Sequence, residues 1–386
     1  MSIPILQRRP DSGLGNIRSS PGDPSRNIDW VLLVTQGALT VVGCFVVFSA
    51  SRTRLEDPYA FVTRQVIFAI IASVVMFAVM SVDYEWLKER ARFFYGLTLV
   101  VLALLFIVGQ ISSRDRISFD LGPFNFQPAE LAKLTTLLVL AAYIADERSD
   151  EVSYPRFLGG LLLVGAPVAL VVAQPDLGSA SVLVAMAMGV LLVAGAKAKY
   201  IALVSVLGVA TVASAFVGRL VNRYQIERLR VFVDQGTVDP QLQDAVYQVR
   251  NAVRAVGSGG VWGKGWLKGE LTNGRDIPVM WADFPFAAVG EQFGLVGCAA
   301  LLGLFVVALI RIWRIAHLSR DLLGTYLCAG VFTMVLWQVF QNVGMTLGIM
   351  PVTGLPMPFV SYGGSSLITY FALFGVVQSV HMRRMR

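Results

Sequence analysis

Long apolar runs separated by short polar stretches dominate the chain of 386 residues. A bilayer core of ~30 Å takes roughly 20 helical residues to cross, so each run is long enough for a transmembrane helix. The runs also lack the period-two alternation of strands in an outer-membrane barrel. The pattern therefore predicts an all-α polytopic membrane protein. Its ten transmembrane helices are expected near residues 28–50, 61–82, 93–110, 127–145, 157–173, 177–195, 199–217, 284–310, 323–349 and 358–381.

The composition indicates the same class. Hydrophobic residues make up 55% of the chain and charged residues 15%, and the mean hydropathy is +0.65. A soluble globular chain carries about a quarter charged residues. We divide the chain into a polar cytoplasmic tail at 1–27, expected to be disordered, a transmembrane domain at 28–381, and a short basic cytoplasmic tail at 382–386.

The formal net charge of +7 arises from basic residues at the ends of the predicted spans. Under a ten-span topology these residues share one side of the membrane, which the positive-inside rule identifies as cytoplasmic. Both termini are then cytoplasmic in the cell membrane, and no nucleic-acid partner is expected. The residues concerned are Arg8, Arg9, Arg18, Arg26, Lys88, Arg90, Arg92, Lys197, Lys199, Arg311, Arg314, Arg320, Arg383, Arg384 and Arg386.

One large loop, residues 218–282, separates the seventh and eighth spans and is expected outside the cell. Nine basic and six acidic residues give it a net charge of +3. It is either a solvated loop that touches lipid head groups or a cationic surface for a phosphorylated substrate, because Arg and Lys bind phosphate oxygens well. Residues 224–233 predict an amphipathic surface helix. Residues 244–266 predict a helix ending at Gly257 and a glycine-rich loop, which permits close backbone approach to a ligand.

Ionisable residues inside membrane spans are costly and often functional. Glu130 and Lys133 lie three residues apart at the start of the fourth span and therefore share a helix face. They form either a structural ion pair or part of a polar site. Asp176 lies between the fifth and sixth spans. It either caps the sixth span or lines a polar cavity together with Gln174.

The ninth span and the segment after it are also unusual. Gln338, Asn342 and Thr346 share one helix face at i, i+4 spacing, and hydrogen bonding between helices is the favoured interpretation. Residues 348–367 hold three prolines and four glycines, so they cannot form a regular lipid-facing helix. Irregular backbone at membrane depth has to be buried or to line a cavity.

Cysteine and histidine offer little chemistry on the outer face. The three cysteines, Cys44, Cys298 and Cys328, lie inside spans and have neither a disulfide framework nor metal-ligand spacing. The two histidines, His317 and His381, both fall on the predicted cytoplasmic side. A Ser–His triad and a histidine-based metal site are therefore excluded outside the cell.

Asp283 stands where the large loop becomes the apolar run of the eighth span, and apolar and aromatic residues flank it closely. The structural interpretation of this carboxylate is a helix N-cap, with Pro285 in the first turn. A catalytic carboxylate is the alternative, and the spacing alone does not choose between them.

Five motifs, taken in order, resemble the SEDS family (shape, elongation, division and sporulation), which includes RodA and FtsW. The resemblance covers about residues 28–381, and the RodA branch fits best because "IDWVLL" opens the first span, "FSAS" closes it and "FVTRQ" opens the second. The motifs are "FQPAELAKL" at 126–134, "AQPDLGSA" at 173–180, "GSGGVWGKGW" at 257–266, "IPVMWADFPFAAVGEQFG" at 277–294, and Asn342 followed by Gly348, Pro351, Gly354 and "FVSYGGSS" at 359–366.

The resemblance implies ten transmembrane helices with a large extracellular loop between the seventh and eighth. It also implies a peptidoglycan glycosyltransferase that polymerises lipid II at the outer face of the cytoplasmic membrane. The implied partners are a class B penicillin-binding protein, which cross-links the strands, and other membrane proteins of the elongation complex. By motif, Asp283 corresponds to the family's essential aspartate. The candidate substrate-binding residues are Glu130, Lys133, Gln174, Asp176, Arg228, Arg250, Lys264, Asn342 and Ser361.

Five positions depart from the family pattern. Ile117 and Ser118 stand where an Arg-Trp pair is common, and Ala282, Pro285 and Asn251 replace a common threonine, isoleucine and glutamine. These departures concern contacts to the substrate rather than the class of reaction.

The resemblance suggests that Asp283 acts as a general base. It would take the proton from the 4-hydroxyl of an acceptor GlcNAc, whose oxygen attacks C1 of a donor MurNAc with inversion. Arg228 or Arg250 would neutralise the departing pyrophosphate. The sequence identifies no definite cofactor. A divalent cation, magnesium or manganese, is an optional helper, although the sequence shows no dedicated ligand cluster.

Three other functions are compatible with the sequence. A lipid II flippase would use the polar residues of spans four, six and nine as a path, although the chain shows no inverted repeat of the kind that transporters often have. A scaffold would hold partner membrane proteins through apolar helix faces. An FtsW-like polymerase would serve division instead of elongation.

Overall fold

The computed structural model describes residues 27–54, 56–111, 117–120, 122, 125–147, 152–217, 243–274 and 276–385. Helices dominate these ranges, and one short antiparallel hairpin joins β1 (Phe119–Asp120) to β2 (Asn125–Phe126). In chain order the described helices are α1 (Trp30–Ser51), α2 (Ala60–Ser81), α3 (Tyr84–Ile111), α4 (Pro128–Ala145), α5 (Tyr154–Ala173), α6 (Leu177–Val193), α7 (Ala198–Val217), α8 (Gln243–Ser258), α9 (Glu270–Asn273), α10 (Met280–Asp283), α11 (Pro285–His317), α12 (Leu322–Thr346) and α13 (Gly364–Met382).

Ten of these helices, α1–α7 and α11–α13, occupy the ten predicted spans, which confirms the all-α polytopic prediction. Within the described residues, eight are long and apolar enough to cross a membrane. The other two are α6, with 17 residues, and α7, with 20. The structure starts α3 at Tyr84 and ends α11 at His317. Both helices are longer than predicted because they continue past the apolar run into a charged turn.

The long helices alternate in direction, so each end of the bundle collects one set of helix ends. We call one end the terminal face, because Asp29 before α1 and His381 near the end of α13 meet there. At this face Lys88 of α3 pairs with Asp146 after α4, with Nζ and Oδ1 2.6 Å apart. The opposite end carries the hairpin, α8–α10 and Asp283. We call it the Asp283 face.

The Asp29 clasp, formed by Asp29, Arg311 and Gln378, holds the terminal face together. The Asp29 carboxylate caps α1 by accepting from the Leu32 amide at 2.9 Å and accepts hydrogen bonds from Arg311 of α11. The Asp29 amide donates to Gln378 Oε1 of α13 at 3.0 Å, and Gln378 Nε2 donates to the Asp29 carbonyl at 2.9 Å. The clasp therefore joins the first helix to α11 and α13.

The helices differ strongly in burial. In the apolar stretch of α4, 78% of residues are buried inside the protein, and in that of α13, 89%, against 17% for α2 and for α3. Because α4 and α13 are central, their polar residues contact protein, whereas α2 and α3 present apolar side chains toward the lipid.

A kink interrupts α11 at Gly294, whose φ of 62° and ψ of −159° are not helical. The kink exposes backbone groups on both sides, and the glycine-rich loop binds them. The Lys264 amide donates to the Glu291 carbonyl at 3.0 Å, and the Leu295 amide donates to the Gly260 carbonyl at 2.9 Å. A Cβ at Gly263, where φ is +79°, would lie 2.2 Å from the Gln292 carbonyl oxygen. The glycines therefore allow close approach of the loop to α11. The approach to a ligand that the sequence suggested stays a prediction.

Candidate active site

Asp283 is the last residue of the short helix α10, which begins after Val279 in a left-handed conformation with φ of 52°. The N-cap position of α11 belongs to Phe284, which makes no side-chain capping hydrogen bond. The N-cap interpretation of Asp283 is therefore wrong, because α10 ends at the aspartate and one further residue separates it from Pro285. The Asp283 side chain is half-buried at the Asp283 face.

Two other parts of the chain hold the backbone around Asp283. Asn342 of α12 is fully buried, and its Nδ2 donates to the Asp283 carbonyl at 2.9 Å and to the Leu355 carbonyl at 2.8 Å. The Tyr362 amide donates to the Trp281 carbonyl at 2.9 Å. The candidate base therefore lies in a fixed backbone, which a general base requires for productive geometry.

Aromatic packing adds a third support. The Phe61 ring of α2 stacks on Trp281 at 5.0 Å between centroids and meets Tyr362 edge-on at 4.7 Å. The Arg54 guanidinium lies 5.5 Å from the Trp281 ring centroid. Arg54 is thus a cation beside the segment that carries Asp283, and the sequence analysis missed it. Its only sequence signal is a basic residue in the short loop after the first span.

The proline- and glycine-rich segment after α12 is buried, as its composition predicts. Gln338 Nε2 donates to the Pro356 carbonyl at 2.6 Å, and Gln341 Nε2 reaches the Pro351 carbonyl at 3.4 Å. Thr346 donates to the Asn342 carbonyl of its own helix at 2.8 Å. The polar face of α12 therefore satisfies the carbonyls of irregular backbone. Through Gln338, which accepts from Lys133 of α4 and Tyr370 of α13, it also makes the hydrogen bonds between helices that the sequence favoured.

Ser361 lies inside this segment and is buried. Its hydroxyl accepts from the Met357 amide at 2.8 Å, and its carbonyl accepts from Gln65 Nε2 of α2 at 3.1 Å. The structure thus gives Ser361 a role in shaping the turn. Its predicted contact with a substrate stays a prediction.

Glu130 and Lys133 form a fully buried ion pair in α4, with Nζ and Oε1 2.7 Å apart. Lys133 Nζ also donates to Gln338 Oε1 at 3.3 Å, and the Tyr370 hydroxyl donates to the same oxygen. Through Gln338 the pair connects to the segment at Pro356. The structure therefore supports the ion-pair interpretation and links the pair to the frame around Asp283.

Asp176 and Gln174 both bind protein groups. The Asp176 carboxylate caps α6 by accepting from the Ser179 amide at 2.9 Å, and its other oxygen accepts from Gln127 Nε2 at 2.9 Å. Gln174 is buried, and its Nε2 donates to the Leu102 carbonyl of α3 at 2.8 Å. The capping interpretation of Asp176 is confirmed.

Lys264, a predicted ligand for phosphate, is paired inside the loop. Its Nζ lies 3.2 Å from Glu291 Oε1 and 3.6 Å from Glu270 Oε2. Desolvation opposes the charged lysine, but the hydrogen bond to Glu291 and the attraction of both carboxylates outweigh it and raise the pKa of Lys264. Glu291 is fully buried and also accepts from the Thr272 amide at 2.7 Å. Lys264 therefore anchors the loop to α11.

Arg250 lies on the exposed side of α8, while the neighbouring Asn251 and Ala252 are buried. The helix packs over the start of α11, where a Cβ at Gly290 would lie 3.0 Å from the Val256 side chain. Arg250 is thus a cation on the Asp283 face. Arg228 and the predicted surface helix at 224–233 lie outside the described residues.

The described residues hold no group of three or more His, Cys, Asp or Glu side chains that could bind a metal ion. Their donor set does not fit a dedicated divalent-cation site. The optional magnesium or manganese stays a prediction.

The fold and this site define a class: a polytopic helical membrane protein with a half-buried carboxylate held at one face, above a buried polar core. The family model for FtsW, RodA and SpoVE, described as cell cycle proteins, matches residues 29–386. The chain belongs to this family.

Curated relatives align along almost the whole chain. Stage V sporulation protein E of Bacillus subtilis (strain 168) is 32% identical over 360 residues, covering 91% of this chain and 96% of the relative. Peptidoglycan glycosyltransferase MrdB of Escherichia coli (strain K12) is 33% identical over 362 residues, covering 93% and 94%. The probable peptidoglycan glycosyltransferase FtsW of Geobacter sp. (strain M18) is 32% identical over 368 residues, covering 92% and 97%.

Solved structures show the same architecture. A chain from a peptidoglycan synthase complex, described as coordinating polymerization and crosslinking, superposes with a TM-score of 0.77 at 31% identity, covering 93% of this chain and 99% of that one. The rod shape determining protein RodA of Thermus thermophilus superposes with a TM-score of 0.67 at 29% identity, covering 93% and 98%.

Proposed function

We propose that this protein is a peptidoglycan glycosyltransferase that polymerises lipid II into glycan strands. The observation that carries the proposal is the placement of Asp283. The carboxylate is half-buried, Asn342 holds its own backbone carbonyl, and Tyr362 holds the carbonyl of Trp281 two residues earlier. Such a group is suited to proton transfer with a bound sugar. The names of the relatives supply the reaction class.

In the proposed reaction, one Asp283 carboxylate oxygen accepts the proton of the acceptor's GlcNAc 4-hydroxyl. The sugar oxygen attacks C1 of the donor MurNAc as the bond from C1 to the pyrophosphate oxygen breaks. The bonding electrons leave with undecaprenyl pyrophosphate, and the anomeric centre inverts from α to β. The bound acceptor and donor are thereby joined in a single displacement.

Charge develops on the departing pyrophosphate, and arginines of the Asp283 face are placed to stabilise it. Arg54, beside Trp281, and Arg250, on the exposed side of α8, are the described candidates. Arg228 stays a further candidate from the sequence. Guanidinium groups suit this role because they bind phosphate oxygens with two parallel hydrogen bonds.

The reaction places Asp283 outside the cytoplasmic membrane and the terminal face in the cytoplasm, with both termini. The basic residues at the terminal face, such as Lys88, Arg311 and Arg383, support this orientation. The face that collects these basic residues is then the cytoplasmic one, as the positive-inside rule expects.

Within this class we favour the elongation role, on the motifs of the first two spans. The partners would be a class B penicillin-binding protein, in line with the peptidoglycan synthase complex that superposes on the chain, and membrane proteins of the elongation complex. Complementation tests the role: the gene should restore rod shape to RodA-depleted cells and should not restore division to FtsW-depleted cells. Rescue of division alone would assign the protein to the division machinery.

The direct experiment is polymerisation of purified lipid II by purified full-length protein. The Asp283→Asn variant keeps the size of the side chain but removes its basicity, so polymer formation should fall by at least about 100-fold, the usual range for a general base. Asp276→Asn is the matched control, since Asp276 lies in the same loop and its carboxylate accepts a hydrogen bond from the Tyr247 hydroxyl at 2.9 Å, which the amide oxygen of asparagine can also accept.

Each alternative gives a different result. Full activity of Asp283→Asn would overturn the mechanism. Movement of lipid II across proteoliposomes without polymer would indicate a flippase. If the protein neither moves lipid II nor forms polymer with the partner transpeptidase present, the scaffold function is the one that remains.

A further inference from the structure

A groove of about 690 Å³ opens at the terminal face between α3, α4 and α5, far from Asp283. Lys88 and Arg92 of α3, Tyr143 of α4 and Gly159 and Leu162 of α5 are among the residues that line it. Leu162 is 68% exposed. In the apolar stretches of α3 and α5 only 17% and 28% of residues are buried inside the protein. The groove therefore opens toward the lipid as well as toward the membrane surface.

The walls of the groove are fixed by contacts between helices. The Tyr95 hydroxyl of α3 donates to the Leu163 carbonyl of α5 at 2.6 Å. A Cβ at Gly159 would lie 2.2 Å from the Tyr143 hydroxyl, so the glycine lets the tyrosine ring fill the floor. The Arg156 guanidinium lies 4.3 Å from the Tyr143 ring centroid. The groove is therefore a built depression with an arginine stacked at its edge.

The charges at its mouth do not cancel. Lys88 pairs with Asp146 at 2.6 Å, and Arg90 pairs with Glu89 at 3.4 Å, which uses both carboxylates that line the groove. Within the part of the chain that the structure describes, neither Arg92 nor Arg156 pairs with a carboxylate, and the buried Nε of Arg156 has no hydrogen-bond partner. Two cations thus remain beside an apolar wall that reaches into the bilayer.

We propose that this groove binds an anionic glycerophospholipid, with its phosphate between Arg92 and Arg156 and an acyl chain along Leu162. A phosphate group matches the two guanidinium groups, and basic pockets between transmembrane helices are suited to anionic head groups. An acyl chain explains the apolar wall, since a soluble anion would use only the mouth. The site is independent of the glycosyltransferase reaction.

Native mass spectrometry of the full-length protein in detergent tests the proposal. The probes are dioleoyl-phosphatidylglycerol, dioleoyl-phosphatidylcholine with the same chains, and inorganic phosphate. The protein should retain phosphatidylglycerol in preference to phosphatidylcholine. The double variant Arg92→Gln/Arg156→Gln should bind it about tenfold or more weakly, since each basic residue contributes to attraction of an anionic lipid. Arg314→Gln, which removes an exposed arginine of the terminal face on α11 that does not line the groove, should bind as the wild type does.

The outcomes separate the sources of the phosphate. Equal retention of the two lipids, or unchanged binding in the double variant, would overturn the proposal. Displacement of phosphatidylglycerol by millimolar inorganic phosphate would show a site for a free anion and would overturn the lipid assignment. If the double variant does not fold, the single variant Arg92→Gln gives the same test, because Arg92 is exposed.

Discussion

Asn342 connects the buried interior to the candidate base through two hydrogen bonds from a single amide nitrogen. One reaches the Asp283 carbonyl at 2.9 Å and the other the Leu355 carbonyl at 2.8 Å. The Asp283 carbonyl lies at the C-terminal end of α10, and the Leu355 carbonyl lies in the irregular segment after α12. The side chain therefore sets the distance between α10 and the proline- and glycine-rich segment, and we expect it to affect catalysis by positioning Asp283.

We expect Asn342→Ala to lower kcat for lipid II polymerisation by about tenfold or more, because small displacements of catalytic groups are costly. KM should change little. Thr346→Val is the control, since Thr346 donates only within its own helix at 2.8 Å. Steady-state kinetics beside a melting curve checks the prediction. A loss of activity that only follows the loss of folded protein would contradict the positioning role.

The buried pair of Glu130 and Lys133 gives a second test at this scale. Lys133→Met leaves a buried carboxylate without its cation, which costs about 3–5 kcal/mol. The double variant Glu130→Gln/Lys133→Met should recover much of that loss, because it buries no charge. Thermal unfolding in detergent measures both. Equal melting temperatures for the wild type and Lys133→Met would show that the ion pair does not stabilise the folded protein.

Residue roles were predictable where the partner is close in sequence. The spacing of Glu130 and Lys133 indicates their pairing, and the position of Asp176 before α6 indicates its cap. Arg54 was missed because its approach to Trp281 depends on how distant segments pack. Long-range contacts of this kind follow from the tertiary fold, and local pattern carries no signal for them.

At the scale of elements, the kink of α11 and the glycine-rich loop form one unit. The backbone of the loop replaces the helical hydrogen bonds that Gly294 interrupts. The Val296 amide, for example, donates to the Val261 carbonyl at 3.1 Å. Lys264 and Glu291 add an ion pair at 3.2 Å. The glycine-rich loop therefore supports the start of α11, next to Asp283, although the loop itself has no chemical step in the proposed reaction.

Gly263→Ala should detach this loop, because the new Cβ would lie 2.2 Å from the Gln292 carbonyl oxygen and φ is +79°. We expect a clear fall in melting temperature and faster proteolysis between residues 259 and 269. Gly257→Ala is the matched control, since nothing lies within 4 Å of its added Cβ. Equal protease resistance of both variants would show that the loop is not closely packed against α11.

The elements themselves were largely predictable. Apolar length predicted ten long helices, and the helix at Gln243–Ser258 ends within a residue of the predicted Gly257. The kink was not predicted, because "GEQFGLVG" reads as continuous apolar helix and its glycine is common in membrane spans. The sequence likewise did not predict that the glycine-rich loop packs on α11, because a glycine run permits a close contact but does not identify the segment that makes it.

At the scale of the molecule, the orientation in the membrane is the main prediction. In a background without the native cysteines, Trp262→Cys should react with a membrane-impermeant maleimide added to intact cells, since Trp262 is 81% exposed on the Asp283 face. Arg90→Cys on the terminal face should react only after permeabilisation. The reverse pattern would put Asp283 inside the cell and contradict the proposed reaction.

The global architecture follows from sequence more directly than the site does. Bilayer thickness fixes helix length, and charge at the helix ends fixes an expected orientation, so both can be deduced from composition along the chain. The sequence predicts less well which helices lie at the centre of the bundle. The high burial of α4 and α13 was signalled only by their polar residues, which need protein partners.

The Asp29 clasp has a consequence for how the protein is made. Asp29 is synthesised near the beginning, whereas Gln378 leaves the ribosome about 350 residues later. Until α13 is made, the Asp29 backbone amide lacks its Gln378 acceptor, and until α11 is made, the Asp29 carboxylate lacks Arg311. We therefore expect a nascent chain stalled before α13 to leave the Asp29 clasp open, so that the terminal face closes only once the last helix is inserted.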